Sequence, residues 1–160
     1  MEAGGDVLYL IAAATFLMWA IVCERFMFIR SEHKKDVSDA LTFWESRAER
    51  NSWHSRMIRE RLISEVNERL RANMGLIKTL IALLPLLGLL GTVTGMVQVF
   101  EAMTYSGGNA RSMAAGVSAA TIPTMSGMVA TLSGVLANSF LTSKVDTEAI
   151  FLEDTLTMDH

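Results

Sequence analysis

The stretch TLIALLPLLGLLGTVTGMVQVF, residues 79–100, carries no charged side chain and no histidine. A helix crosses a bilayer core of about 30 Å with roughly 20 predominantly apolar residues, so this run is long enough to span one. It is not uniformly greasy. Gly88, Gly91 and Gly95 recur at three and four, and Gly91 with Gly95 makes a G-x-x-x-G pair of the kind that lets membrane helices approach closely. Pro85 stands one turn before them and removes a backbone hydrogen bond. Thr92 and Thr94 place hydroxyls among the glycines.

Downstream, SMAAGVSAATIPTMSGMVATLSGVLANSFLTS, residues 112–143, is a second uncharged run. It is longer than a membrane needs, so its helix protrudes on one side. Ala120, Thr124, Gly127, Thr131, Gly134 and Asn138 recur at alternating fours and threes, which is one helical face, and every member is small or polar. Ser118, Thr121, Ser126 and Ser133 add hydroxyls around that face, and Val117, Ile122, Val129, Leu132 and Leu136 occupy the opposite one. Pro123 lies inside, and the carbonyl it frees needs a partner, either a hydroxyl or a water. Glu101 and Arg111 are the only charged residues between Lys78 and Lys144, and they flank the turn Ser106-Gly107-Gly108-Asn109. Small residues in one membrane helix serve as packing glue. Two adjacent spans with Gly, Thr and Pro on one face point further, to a shared polar wall that lines a pore or embraces another helix.

Toward the N-terminus, Val7–Cys23 is a third uncharged run, which Phe26–Ile29 can extend because Glu24 and Arg25 can snorkel at an interface. Its acidic start, Glu2 and Asp6, and its Cys23-Glu24-Arg25 ending do not fit a cleaved secretion signal. The chain has 160 residues, 51% of them hydrophobic, clustered too strongly for an ordinary soluble domain. These features predict an all-α membrane protein with three transmembrane helices and long helical cytoplasmic extensions. The segments run as follows: 1–29 periplasmic N-terminus and first span, 30–78 cytoplasmic, 79–100 second span, 101–112 periplasmic turn, 113–143 third span, 144–160 cytoplasmic tail. Orientation rests on the basic residues. Twelve of the fourteen Lys and Arg fall in segment 24–78, which the positive-inside rule assigns to the cytoplasm.

That segment also holds nine acids, so it is a solvated helical surface and not a nucleic-acid patch. Pro is absent from it, and apolar Ile63, Val66, Leu70, Met74 and Ile77 are spaced by three and four. One helix is therefore expected to run from about residue 55 to about residue 100. A comparable extension follows the first span as far as Arg50, with a break at Asn51-Ser52. The first half of the acidic tail continues the third helix. Cys23 is the only cysteine, which excludes an internal disulfide, and it carries no assigned chemistry.

Neither long run in the hairpin holds an Asp, Glu, His, Lys or Arg. Proton relays through membranes use ionisable groups, so if this chain moves protons a partner must bring the acid. There is no H-E-x-x-H, no phosphate-binding loop and no metal cluster, and His33, His54 and His160 are scattered in polar segments; an enzyme, a metal site or a cofactor is not expected.

The run Leu84–Met96 (LPLLGLLGTVTGM) strongly resembles the second-span signature of the MotA/TolQ/ExbB proton-channel family, and Gly116–Met128 (GVSAATIPTMSGM) is similar to its third-span signature. The resemblance covers roughly residues 7–150 and is greatest to short ExbB proteins of TonB systems, with TolQ the near alternative. It implies a homopentamer in the bacterial inner membrane, with the N-terminus periplasmic and the C-terminus cytoplasmic. Single-span ExbD helices, each with a membrane aspartate, sit in its pore, and a TonB-like protein carries the energy to outer-membrane transporters. By that resemblance Thr92 and Thr124 are pore threonines. Thr121, Thr131 and Ser126 join them as candidate lining residues, and Pro85, Gly88, Gly91, Gly95, Pro123, Gly127 and Gly134 are candidate packing residues. One departure matters: Ala119 stands where many relatives have Glu. Two other readings remain, a non-conducting membrane scaffold and a flagellar stator subunit. The stator reading is weakened because the first run cannot hold two spans.

Overall fold

The computed structural model describes residues 5–31, 33–46, 53–106 and 110–155. Among these, every residue except Ser46, Ala72 and Asn73 is helical. The helices are α1 (Gly5–Ser31), α2 (His33–Glu45), α3 (Trp53–Arg71), α4 (Met74–Ser106) and α5 (Ala110–Thr155). Among the described residues, three segments are long and apolar enough to cross a membrane: Asp6–Ser31, the α3–α4 segment Trp53–Tyr105, and Met113–Thr155. The chain is an all-α membrane protein. The expected breaks at Asn51-Ser52 and at Gly107-Gly108-Asn109 lie outside the described residues, as does the end of the tail beyond Thr155.

The helices build two compact units, one from Met1–Ala20 with Leu76–Ala137 and one from Ile21–Gly75 with Asn138–His160. In the first, α4 buries Ile77, Leu80, Leu84, Gly88, Gly91 and Gly95, and α5 buries Ala120, Pro123, Gly127, Ala130 and Gly134. Both sets step by threes and fours, the repeat that keeps one helical stripe turned toward a neighbour. Side-chain size falls along the α4 stripe from leucine to glycine, so α4 and α5 come close enough for backbone to meet backbone. A Cβ at Gly127 would stand 2.7 Å from the Leu84 carbonyl oxygen, and one at Gly88 would stand 3.0 Å from Thr124 Cα. Val7, Ile11 and Met18 of α1 complete this core, and Met18 lies against Gly134. Helix α4 continues through Pro85 and α5 through Pro123, whose ring is buried. The large apolar residues predicted for the far face of α5 are indeed outward, from 41% exposed at Val117 to 71% at Val129. In a membrane protein that surface is solvated by acyl chains or by other helices, not by water.

In the second unit, Val37, Ala40 and Trp44 of α2, Val66 and Leu70 of α3, and Leu141, Val145, Ala149 and Leu152 of α5 are buried, again at three and four. Arg71 pairs with Asp146 at 2.8 Å, and Arg59 donates to the Glu153 carbonyl at 2.8 Å. The expected unbroken helix from 55 to 100 is not formed. Helix α3 stops at Arg71, and Asn73 has φ 61°, the left-handed conformation that Asn tolerates better than other non-glycine residues and that commonly ends a helix. The freed Arg69 carbonyl takes a hydrogen bond from the Ala72 N–H at 3.4 Å and from Arg25 Nη1 at 3.0 Å. Arg25 is only 7% exposed. Its fork also bonds both oxygens of Glu24 at 2.9 Å, and its guanidinium lies 4.9 Å from the Phe28 ring centre. Arg25 is thus held within the fold, where it caps the end of α3.

Candidate functional site

Polar groups of α4 and α5 meet where the two helices cross. Gly88 has no side chain, so its carbonyl is open to α5 as well as to its own helix. Thr124 Oγ1 donates to it from across the interface at 2.9 Å, and Thr92 Oγ1 approaches it from one turn along α4 at 3.3 Å. The two hydroxyl oxygens are also in contact with each other. Both threonines are half-buried. Their two hydrogens are taken up by the Gly88 carbonyl and by each other, whereas lone pairs remain unused on the hydroxyl oxygens. The pair is therefore an acceptor site with no spare donor. It suits a group that brings its own proton: a protonated carboxyl or a water.

Glycines and a proline hold that crossing in place. On one side, Pro123 and Val7 pack into the notch left by Gly91, with Pro123 Cγ 2.9 Å and Val7 Cγ1 3.1 Å from where a Cβ would stand. Further along, Gly95 lies against Ala120, whose Cβ would be 2.7 Å away. Gly134 lies against Met18 and Ile81. Gly88, Gly91, Gly95, Gly127 and Gly134 thus meet neighbours inside the chain itself. Pro85 is half-buried on α4.

The remaining hydroxyls separate by side. Thr131, half-buried, donates to Gly127 O at 2.8 Å, and Thr121, exposed, donates to Ser118 O at 2.7 Å. Ser126 donates to Ile122 O at 3.0 Å and faces away from the threonine pair. It lines a groove of about 860 Å³ between α1 and α5, with Thr15, Phe16, Trp19, Val129 and Ser133. The structure therefore brings Thr92 and Thr124 together and does not bring Ser126 to them. Ala119 is half-buried beside fully buried Ala120, and with Pro123 four residues on, its carbonyl has no helical N–H to bond. Arg25 as a cap and Asn73 as a joint were not among the residues singled out by the sequence pattern. An Asn between two helical patterns was the signal for the joint; nothing in the local pattern signalled the arginine cap.

A membrane protein of three spans, with a hydroxyl cluster on two uncharged runs that hold no titratable side chain, belongs to the class of helical channel and transport subunits. The chain is a member of the MotA/TolQ/ExbB proton channel family, whose model matches residues 24–154. It is also 40% identical over 79 residues to a Synechocystis sp. protein described as biopolymer transport protein ExbB-like 1. That match spans 47% of this chain and 31% of the relative.

Proposed function

We propose that the chain is a proton-channel subunit of a bacterial inner membrane and not an enzyme. On this reading it works as a homo-oligomer, a pentamer by family resemblance, around an ExbD-like single-span partner that carries a membrane aspartate. Its N-terminus is periplasmic and its C-terminus cytoplasmic, and a TonB-like protein transmits the energy to outer-membrane transport. The observation that carries the reading is the Thr92–Thr124 acceptor pair on Gly88, between two runs, 79–100 and 112–143, that hold no acid of their own. A partner's protonated carboxyl can donate to these oxygens. Once it ionises, the hydroxyl hydrogens can turn from the Gly88 carbonyl toward it. An unpaired polar group in an apolar site costs a few kcal/mol, and two rotatable hydroxyls lower that cost in both protonation states. Ala119 leaves the partner's aspartate as the titrating group at this level.

The test is to purify the oligomer with its partner, place it in liposomes and follow pH-driven dye quenching. Thr92→Val and Thr124→Val are expected to reduce proton flux several-fold while the complex still assembles. Wild-type flux in both variants would remove the threonines from the mechanism. Coupling to TonB rather than to a TolQ-type envelope system is tested by growth on iron bound to an outer-membrane-transported chelator, which a disrupted chain is expected to lose.

The scaffold reading draws on a separate observation, the glycine stripes. Those glycines pack against neighbours inside the chain, which accounts for them without conduction. It leaves the hydroxyl pair without a role, and it predicts silent threonine variants.

A further inference from the structure

Three buried side-chain oxygens among the described residues have no protein partner: Oδ1 of Asn67, Oδ1 of Asn138 and Oγ1 of Thr142. The last two stand one turn apart on α5. Residues four apart on a helix share a face, with Cβ atoms about 5–6 Å apart. This is not the habit of that helix. Thr121, Ser126, Thr131, Ser133 and Thr147 all donate to a carbonyl three or four residues back, at 2.7–3.0 Å. Thr142 has such a target in the Asn138 carbonyl and makes no bond to it.

Leaving a buried hydroxyl or amide oxygen unpaired costs about 1–3 kcal/mol, and native structures pair nearly all of them. Two such oxygens at this spacing match the reach of one bridging water, which needs two to four polar partners to stay ordered. Asn138 Oδ1 can only accept, Thr142 Oγ1 can accept or donate, and the Asn138 carbonyl is a third acceptor within the same turn.

We propose that Asn138 and Thr142 form a binding site for an ordered water and that this water is a stopping point for protons. The second half rests on the channel reading above. A set dominated by acceptors favours a ligand that only donates, and hydronium is such a ligand: a water at the site gains a proton, donates to Asn138 Oδ1 and Thr142 Oγ1, and returns to water when a proton passes on. The site neither gains nor loses a proton over a cycle. By helical spacing Asn138 continues the α5 face of Thr124 and Thr131, each seven positions from the next.

Two measurements decide it. A cryo-EM map of the oligomer with its partner, sharp enough to show ordered waters, is expected to hold density within hydrogen-bond distance of both oxygens. Ordered waters elsewhere with none here would overturn the site, whatever the chain does. In liposomes, the double variant Asn138→Leu with Thr142→Val is expected to lose proton flux several-fold. It should melt closer to wild type than either single variant, because each single change strands the other oxygen. A double variant that conducts as wild type would overturn the proton role even with the water present. A wild-type complex with its partner that fails to conduct would sink the channel reading, and with it the proton role, while the map still decides the site.

Discussion

Gly127 shows how a single atom sets the hairpin. Any side chain there points at the Leu84 carbonyl, 2.7 Å from a Cβ, and a backbone carbonyl in a helix cannot step aside. Gly127→Ala is therefore expected to cost about 1–3 kcal/mol through overpacking, read as a lowered melting midpoint in detergent. Gly75 is the control, since a Cβ there meets nothing within 4 Å. Gly75→Ala is expected to be neutral or stabilising by up to about 1 kcal/mol, because alanine loses less backbone freedom in a helix. Asn73, with φ 61°, makes the opposite demand. Asn73→Gly should be tolerated, and Asn73→Val should cost about 1–2 kcal/mol, because a β-branched residue clashes in the left-handed region. The three outcomes share one readout and have different causes: close approach, open space and backbone conformation.

At the scale of the element, the joint between α3 and α4 depends on a third helix. Arg25 of α1 bonds the Arg69 carbonyl and is held by Glu24 and Phe28. Removing it leaves the Arg69 carbonyl with only the long Ala72 bond, in a partly buried setting. Arg25→Leu should destabilise the second unit and raise amide exchange at the end of α3. Arg25→Lys should restore little, since an ammonium lacks the planar fork that reaches carbonyl and carboxylate together. Unchanged exchange in Arg25→Leu would show that Asn73 alone ends the helix. The Arg71–Asp146 pair is about half exposed on both sides, so Arg71→Ala is expected to shift stability by less than about 1 kcal/mol. The apolar spacing 63–77 was legible as helix, but the break inside it was marked by Asn73 alone. Periodicity carries across a single left-handed residue when the stripes on either side remain in phase, as Val66, Leu70, Met74 and Ile77 do here.

For the molecule as a whole, the missing acid is the strongest constraint. Liposomes holding this chain alone are expected to pass few protons, and co-reconstitution with an acid-bearing partner should restore flux; robust flux from the chain alone would contradict the argument. The number of spans, their lengths, the supply of Gly and Thr and the absence of titratable groups from runs 79–100 and 112–143 were all determined by the sequence itself, because bilayer thickness and the cost of burying charge act on composition and run length, which need no neighbour to be read. Which hydroxyl faces which helix was not. Thr124 and Ser126 are two residues apart and chemically alike, yet one meets Thr92 and the other lines the groove beside α1. Only the packing of α4 against one side of α5 and α1 against another sorts them, since a residue type fixes what a side chain can bond but a neighbouring helix fixes what is there to be bonded. The arginine cap and the unpaired Asn138 and Thr142 oxygens belong to that second kind. Each depends on a group far away in the chain being present or absent at hydrogen-bond range, a property of the folded arrangement alone.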